Sequence, residues 1–334
     1  MLDMDKTRRK LVLACILGGL WLLACGLSGL LIGSTSIDIV RALNGSGPDA
    51  QILLVARLPR VLLAALTGGA LASAGVGFQA LLRNPLATPF TLGVSSGASL
   101  GAASAILLGL DTALLGSAAV PLFALAGAGL AVAVVYMLAR RRGSLLSTNT
   151  LLLAGVCLAF FFGAVMLFLH YLADFGNSYR MIRWLMGSLD ITDIMVPLKV
   201  FVLTIIGFIL LYSNSRRLNV MSAGEEVAQS RGIDVDKVQR RIYFSGSLLT
   251  ASVVAATGPI GFVGLVVPHV VRMFTGPDHR VLLPASFFAG AGFLILCDLL
   301  ARVLIAPTEI PVGVITAILG GPFLVWLLRR QVEN

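Results

Sequence analysis

The chain has 334 residues, of which 57% are hydrophobic and only 12% charged, with a mean hydropathy of +0.95. Soluble domains carry about 25% charged residues, so this composition excludes a water-soluble globular fold and requires a bilayer as solvent. The net charge of +9 does not point to nucleic acid, because no basic run in a polar segment is interleaved with aromatics. Basic residues also crowd the cytoplasmic loops of membrane proteins.

A chain in lipid must satisfy its own backbone hydrogen bonds, which leaves helices or a closed barrel. Residues 11–32 and 281–305 are predominantly apolar without the alternation of barrel strands, so they read as helices. In chain order the apolar runs predict ten spans: 11–32, 60–82, 91–109, 113–139, 150–170, 194–213, 242–257, 259–275, 281–305 and 311–328. The seventh and eighth barely separate, at Gly258-Pro259. Residues 175–188 read as an amphipathic helix on the outer surface. The whole chain, 1–334, is expected to be one transmembrane domain.

The first run contains Leu22-Leu23-Ala24-Cys25, similar to a lipoprotein cleavage box. The run continues to residue 32, which favours a retained first helix. Cys15, Cys25, Cys157 and Cys297 lie in apolar runs without metal-ligand spacing and read as packed thiols.

Charge sets the orientation. With the N-terminus inside, 18 of the 25 basic residues fall on the inner side, including Lys6 to Lys10, Arg140 to Arg142 and Arg329-Arg330. Seven fall outside: Arg41, Arg57, Arg60, Arg180, Arg183, Lys199 and Arg302. Both termini are therefore expected in the cytoplasm. Within the spans the clearest charge is Asp298, with Arg302 four residues on along the same helical face. A structural pair and a functional role for Arg302 both fit this spacing.

The longest cytoplasmic connection covers about 214–241. Residues 222–233 read as a short helix of small and acidic residues closed by Gly232, and a second short helix is expected near Asp234. Such a loop suits docking to a partner, although a solvated loop has the same composition. The four lysines, Lys6, Lys10, Lys199 and Lys237, include none in a phosphate-binding loop, so the chain carries no recognisable ATPase site. Gly93, Gly97 and Gly101 form small-xxx-small steps for close helix packing.

Five stretches are similar to the FecCD-type permeases of ABC importers for iron–siderophore complexes, haem and cobalamin, over about residues 37–328. They are Arg57-Leu58-Pro59-Arg60; Gln79 to Ala87 with Leu92 to Ala98; Gly224 to Ile233; Gly258 to Arg272; and Glu309 to Thr316. The resemblance implies an all-α, type II importer permease fold in a bacterial inner membrane. It implies a second permease copy, two cytoplasmic ABC ATPases that hold the ATP and Mg, and an outer substrate-binding protein; this chain itself binds no cofactor or metal.

Transferred residue by residue, Arg57, Arg60 and Arg302 are implied as outer contacts for the binding protein. Asn84, Leu86 and Thr148 are implied as the cytoplasmic gate. Gly224, Glu225, Ala228, Arg231, Gly232 and Ile233 are implied as the ATPase coupling loop, with Arg231 departing from the family's usual Leu. His269 and Arg272 read as structural. No catalytic residue is expected, and the scattered His170, His269 and His279 form no enzymatic constellation. The chief rival is an ion-gradient-driven transporter, for which Asp298 is the plausible coupling residue.

Overall fold

The computed structural model describes residues 2–43, 47–110, 116–140 and 147–332, and the fold among them is entirely helical. Helix α1 is Leu2–Leu31, α2 Leu58–Leu82, α3 Val94–Leu107, α4 Ala119–Ala139 and α5 Thr148–Leu172. The short α6, Phe175–Leu185, is followed by α7, Met195–Tyr212. Two short helices, α8 (Ser215–Met221) and α9 (Glu225–Ser230), lead into α10, Val235–Thr257. The fold closes with α11 (Val263–Thr275), α12 (His279–Val303) and α13 (Val312–Val332).

Each of the ten predicted runs overlaps a helix among the described residues; residues 113–115 of the fourth lie outside them. Six helices are long and apolar enough to cross a bilayer: Thr7–Leu31, Gly47–Leu82, Gly116–Ala139, Thr148–Leu172, Met195–Tyr212 and His279–Val303. The chain is a multi-pass membrane protein. Three apolar helices are shorter, Val94–Leu107, Val263–Thr275 and Val312–Leu327.

The boundaries differ from expectation where backbone conformation decides them. The third span starts at Val94, because Gly93 takes φ 77° after a 3-10 turn, Pro89–Leu92. The second loop helix starts at Asp234 as expected, its Oδ1 accepting from Lys237 N at 3.1 Å. It is not a separate helix but runs unbroken into the seventh span, to Thr257. The weak break at Gly258-Pro259 is genuine: Gly258 has φ 71° and Phe262 φ 67°, and α11 resumes only at Val263. The amphipathic segment is confirmed as α6, N-capped by Asp174, whose Oδ1 accepts from Asn177 N at 2.7 Å.

Helix α2 forms the centre. The most apolar window of Gly47–Leu82 is 83% buried, against 6% for α1, which lies at the periphery. Lipid tails give apolar side chains no reason to prefer protein, so close backbone approach must hold the bundle together. Gly68 of α2 and Gly290 of α12 meet reciprocally: a Cβ on either would overlap the other's carbonyl. A Cβ on Gly75 would likewise overlap the Gly264 carbonyl of α11, while one on Gly264 would meet the Leu71 carbonyl of α2. Gly97 and Gly101 of α3 lie against Gly127 and Phe123 of α4, as the small-residue spacing predicted, whereas Gly93 serves the turn instead.

Because residue 68 faces 290 and residue 60 reaches 298, α2 and α12 run antiparallel, each 25 residues long. That length is roughly 37 Å for 25 residues.

Candidate functional sites at the two ends of the bundle

One end carries the α8–α9 loop. Gly224 (φ 129°) starts α9, and Gly232 (φ 75°) ends it. Gly232 N donates to Gln229 O at 2.8 Å and Ile233 N to Ala228 O at 3.0 Å. This paired pattern satisfies the last carbonyls of the helix. Ala228 is fully buried, fixing α9 to the bundle, while Glu226, Gln229, Ser230 and Arg231 are exposed.

Two polar tethers join this loop to the central helices. Glu225 Oε1 lies 3.2 Å from Arg83 Nη2, at the C-cap of α2, and accepts from Gln239 Nε2 at 3.3 Å. Asn219 of α8 spans the start of α12: its Nδ2 donates to Asp278 Oδ1 at 2.6 Å and its Oδ1 accepts from His279 N at 2.8 Å. Arg280 closes on Asp278 at 2.7 Å and donates to Thr7 Oγ1 of α1 at 3.2 Å.

Burial pushes the Asp278 carboxyl up, but the hydrogen bonds from Arg280, Asn219 and the Arg280 backbone N–H outweigh it and hold its pKa at about 2. A carboxylate held below its unfolded value of about 3.9 stabilises the fold above that pH. The contribution is lost as pH falls toward 2. Asp278→Asn is therefore expected to lower the unfolding temperature of the detergent-solubilised protein at neutral pH, with the gap to the parent closing between about pH 4 and 2. A gap constant across that range would count against the latch.

The expected gate residues flank the same end. Asn84 Oδ1 accepts from Leu86 N at 2.9 Å, and Asn84 O accepts from Ala87 N at 3.1 Å, folding residues 83–88 into a tight turn directly after α2. Asn84 and Leu86 are half-buried. Thr148 is the first residue of α5, behind the Ser147 cap, and is also half-buried. The first turns of α5 rest on the Pro89–Leu92 turn, where Gly155 lies against Thr91 and Leu92.

The opposite end is built on arginines, which the fold buries. Arg57, Arg60 and Arg302 are only 4%, 8% and 3% exposed. Arg57 donates to Leu30 O at 2.7 Å and Leu31 O at 2.9 Å, and also to Thr35 O. Arg302 donates to Gly29 O at 3.0 Å and Ile32 O at 3.4 Å. Four consecutive carbonyls at the C-terminal end of α1, which no further helical turn satisfies, are thus taken by two guanidiniums.

Fully buried Asp298 lies between Arg60 Nε at 2.8 Å and Arg302 Nε at 3.0 Å. The Arg302 contact is an ion pair with its N–H out of line for a hydrogen bond. Arg60 Nη1 also meets Glu309 Oε2 at 2.6 Å. The i,i+4 spacing revealed the Asp298–Arg302 pair. Arg60 lies 238 residues from Asp298, so that contact had no local signal.

Beside this cluster a cavity of about 650 Å³ opens between α6 and residues 307–312. Of the three arginines it is Arg60 that lines it, together with Glu309, Arg183 and Asp190. His269 packs edge-on against Phe323, and Arg272 Nη2 donates to Gln79 Oε1 at 3.2 Å, so both take part in internal packing.

The model of the FecCD transport family matches residues 20–330. The cobalamin import system permease protein BtuC of Halobacterium salinarum is 44% identical over 298 residues, covering 86% of this chain and 77% of the relative. The hemin transport system permease protein HmuU of Yersinia pestis is 38% identical over 338 residues and 98% of each chain. A solved inward-facing ABC transporter, assigned to the metal-chelate type, superposes with a TM-score of 0.83 and 31% identity, over 95% of this chain and 98% of that one.

Proposed function

The chain belongs to the FecCD transport family, and from that premise we propose that it is the membrane pathway of an ATP-driven importer for a metal chelate of the cobalamin, haem or siderophore class. Two copies enclose the pathway. The α8–α9 loop faces the cytoplasm, where two separate ATPase chains engage the exposed side of α9, and both termini lie on that side. A substrate-binding protein delivers cargo at the opposite, outer end. In this role the chain catalyses no reaction; it converts motion of the ATPases into alternating access.

The observation that carries this reading is the pairing of α2 and α12. The same two antiparallel helices hold both ends of the bundle: Arg83 and Asp278 tie them to the α8–α9 loop, and Arg60, Asp298 and Arg302 join them at the outer end. A push on α9 reaches Glu225, then Arg83, and then the Asn84–Leu86 turn that follows it directly in sequence. Displacement of that turn relative to Thr148 at the head of α5 opens or closes the inner gate.

At the outer end Arg60 meets the binding protein through the cavity it lines, exchanging Glu309 for an acidic side chain of the partner. Arg57 and Arg302 contribute by holding the end of α1 in place and so shaping the docking face. Complementary charge at such a face speeds docking and fixes its register. Asp298, occupied by two arginines, is already engaged as an ion pair, which disfavours the gradient-driven alternative.

Proteoliposomes holding the permease with its ATPase and binding protein test the proposal. Uptake of cobalamin, haem or a ferric siderophore is expected to require enclosed ATP and to persist when ionophores collapse the gradients. Uptake that needs the gradient and not ATP would overturn it. Gly224→Val forces a side chain into φ 129°, a strain of about 1–3 kcal/mol, at the base of α9. ATP hydrolysis is expected to continue while uptake falls at least about tenfold; unchanged uptake would remove the loop from the mechanism.

A further inference from the structure

At the α8–α9 end, a crevice of about 730 Å³ lies between the start of α1, the α7–α8 junction and the start of α12. Its polar wall is Thr7, Arg8, Ser213, Ser215, Arg216 and Arg280. With Tyr212, three guanidinium-bearing and four hydroxyl-bearing residues thus surround one space, and no carboxylate lines it among the described residues. Arg280 is already oriented, by Asp278 at 2.7 Å and by Thr7 at 3.2 Å, while Arg8 and Arg216 are exposed.

A second hollow, of about 450 Å³, shares Arg8 with the first and continues along α1 past Val12, Leu13 and Ile16. Those three apolar side chains are 51%, 56% and 55% exposed. The combined shape is a cationic, hydroxyl-rich head space leading into an apolar trough that runs along a membrane helix.

We infer that this crevice binds an anionic phospholipid, its phosphate between Arg8, Arg216 and Arg280 and an acyl chain along the Val12–Ile16 face of α1. Guanidinium and hydroxyl groups match phosphate oxygens in charge and in hydrogen-bond donors. The apolar trough makes a lipid a better fit than a free anion, and basic rims of membrane helices attract anionic head groups.

The position has a mechanical consequence. Arg216 lies on α8, and Arg280 belongs to the latch that joins α8 to α12. A lipid bridging Arg8 and Arg216 therefore fastens α1 to the base of the loop and sets the anchor against which α9 moves. The inference rests on the chain's location in a membrane and not on what it carries, so a failure of either reading leaves the other standing.

Lipid retention by the full-length protein in detergent tests the inference. After exchange against equal phosphatidylglycerol and phosphatidylcholine, native mass spectrometry is expected to find phosphatidylglycerol retained in preference. The double variant Arg8→Gln, Arg216→Gln should lower that retention at least about tenfold, the scale expected for two cations near a membrane surface. Arg8→Lys with Arg216→Lys should keep most of it. Equal retention of both lipids overturns the inference, and so does undiminished preference in the glutamine variant. Millimolar inorganic phosphate that stabilises the delipidated protein as well as phosphatidylglycerol does would assign the crevice to a soluble anion instead. Should the glutamine variant fail to accumulate, the competition between the two lipids on the unaltered chain still supports or overturns the site.

Discussion

Asp298→Asn is expected to destabilise the detergent-solubilised protein by about 3–5 kcal/mol, the cost of removing one partner from a buried ion pair. Asp298 is fully buried and lies within 3.0 Å of both Arg60 and Arg302. Without its charge Arg60 keeps Glu309, but Arg302 retains only the carbonyls of residues 29 and 32. Two buried guanidiniums then face each other across a neutral amide. Thermal unfolding, followed by loss of monodisperse protein on heating, gives the measurement.

A combined variant separates a structural pair from a functional one. Asp298→Leu, Arg60→Met and Arg302→Met together remove every charge of the central triad, and replacing a buried ionic cluster by apolar groups is often neutral or stabilising. The combined variant is expected to recover much of the stability lost by Asp298→Asn while failing to couple to its binding protein. An Asp298→Asn protein that unfolds at the parental temperature would show that the cluster does not hold the outer end together.

Gly68→Leu should prevent stable assembly of the α2–α12 pair. A Cβ at Gly68 alone would overlap the Gly290 carbonyl and lie 2.9 Å from Leu294 Cβ. Helix α12 cannot retreat far, because it is fixed at one end by Asn219 to residues 278 and 279 and at the other by Asp298 to Arg60. Overpacking in a close-packed interior costs about 1–3 kcal/mol where neighbours can shift. The obstruction here is backbone, so the loss is expected at or above the top of that range. Yield of folded protein and its unfolding temperature report it, and Gly19→Leu on α1, with nothing within 4 Å of its Cβ, is the matched control. Equal behaviour of the two variants would mean that the glycine contact is not what joins the helices.

Under the proposed function, the same two helices link stability to transport. A bundle in lipid cannot draw on the hydrophobic effect to hold its helices together, so it relies on backbone contact and buried polar pairs. Both are stiff, and both lie on the path between the α8–α9 loop and the outer cavity. In the proposed mechanism, motion passes along α2 and α12 as a unit and is absorbed where the chain is irregular, at the 83–88 turn and at 258–262.

Composition alone determined that the chain lives in a bilayer as helices, because 57% hydrophobic residues with 12% charged leave water no way to solvate the fold. Local pattern placed the main apolar helices, the amphipathic α6, the glycine end of α9 and the Asp298–Arg302 pair, since each depends on residues within a few positions of one another. The boundaries at 93 and at 258–262, and the fusion of the second loop helix with the seventh span, depend on backbone angles that residue type only biases. Which charges are buried was decided by tertiary structure alone. Arg57 and Arg60 are buried because carbonyls 22 to 27 residues from Arg57, and acids 238 and 249 residues from Arg60, are brought beside them. A guanidinium enters the protein interior only where such partners converge, and convergence across that much chain leaves no mark in the local sequence.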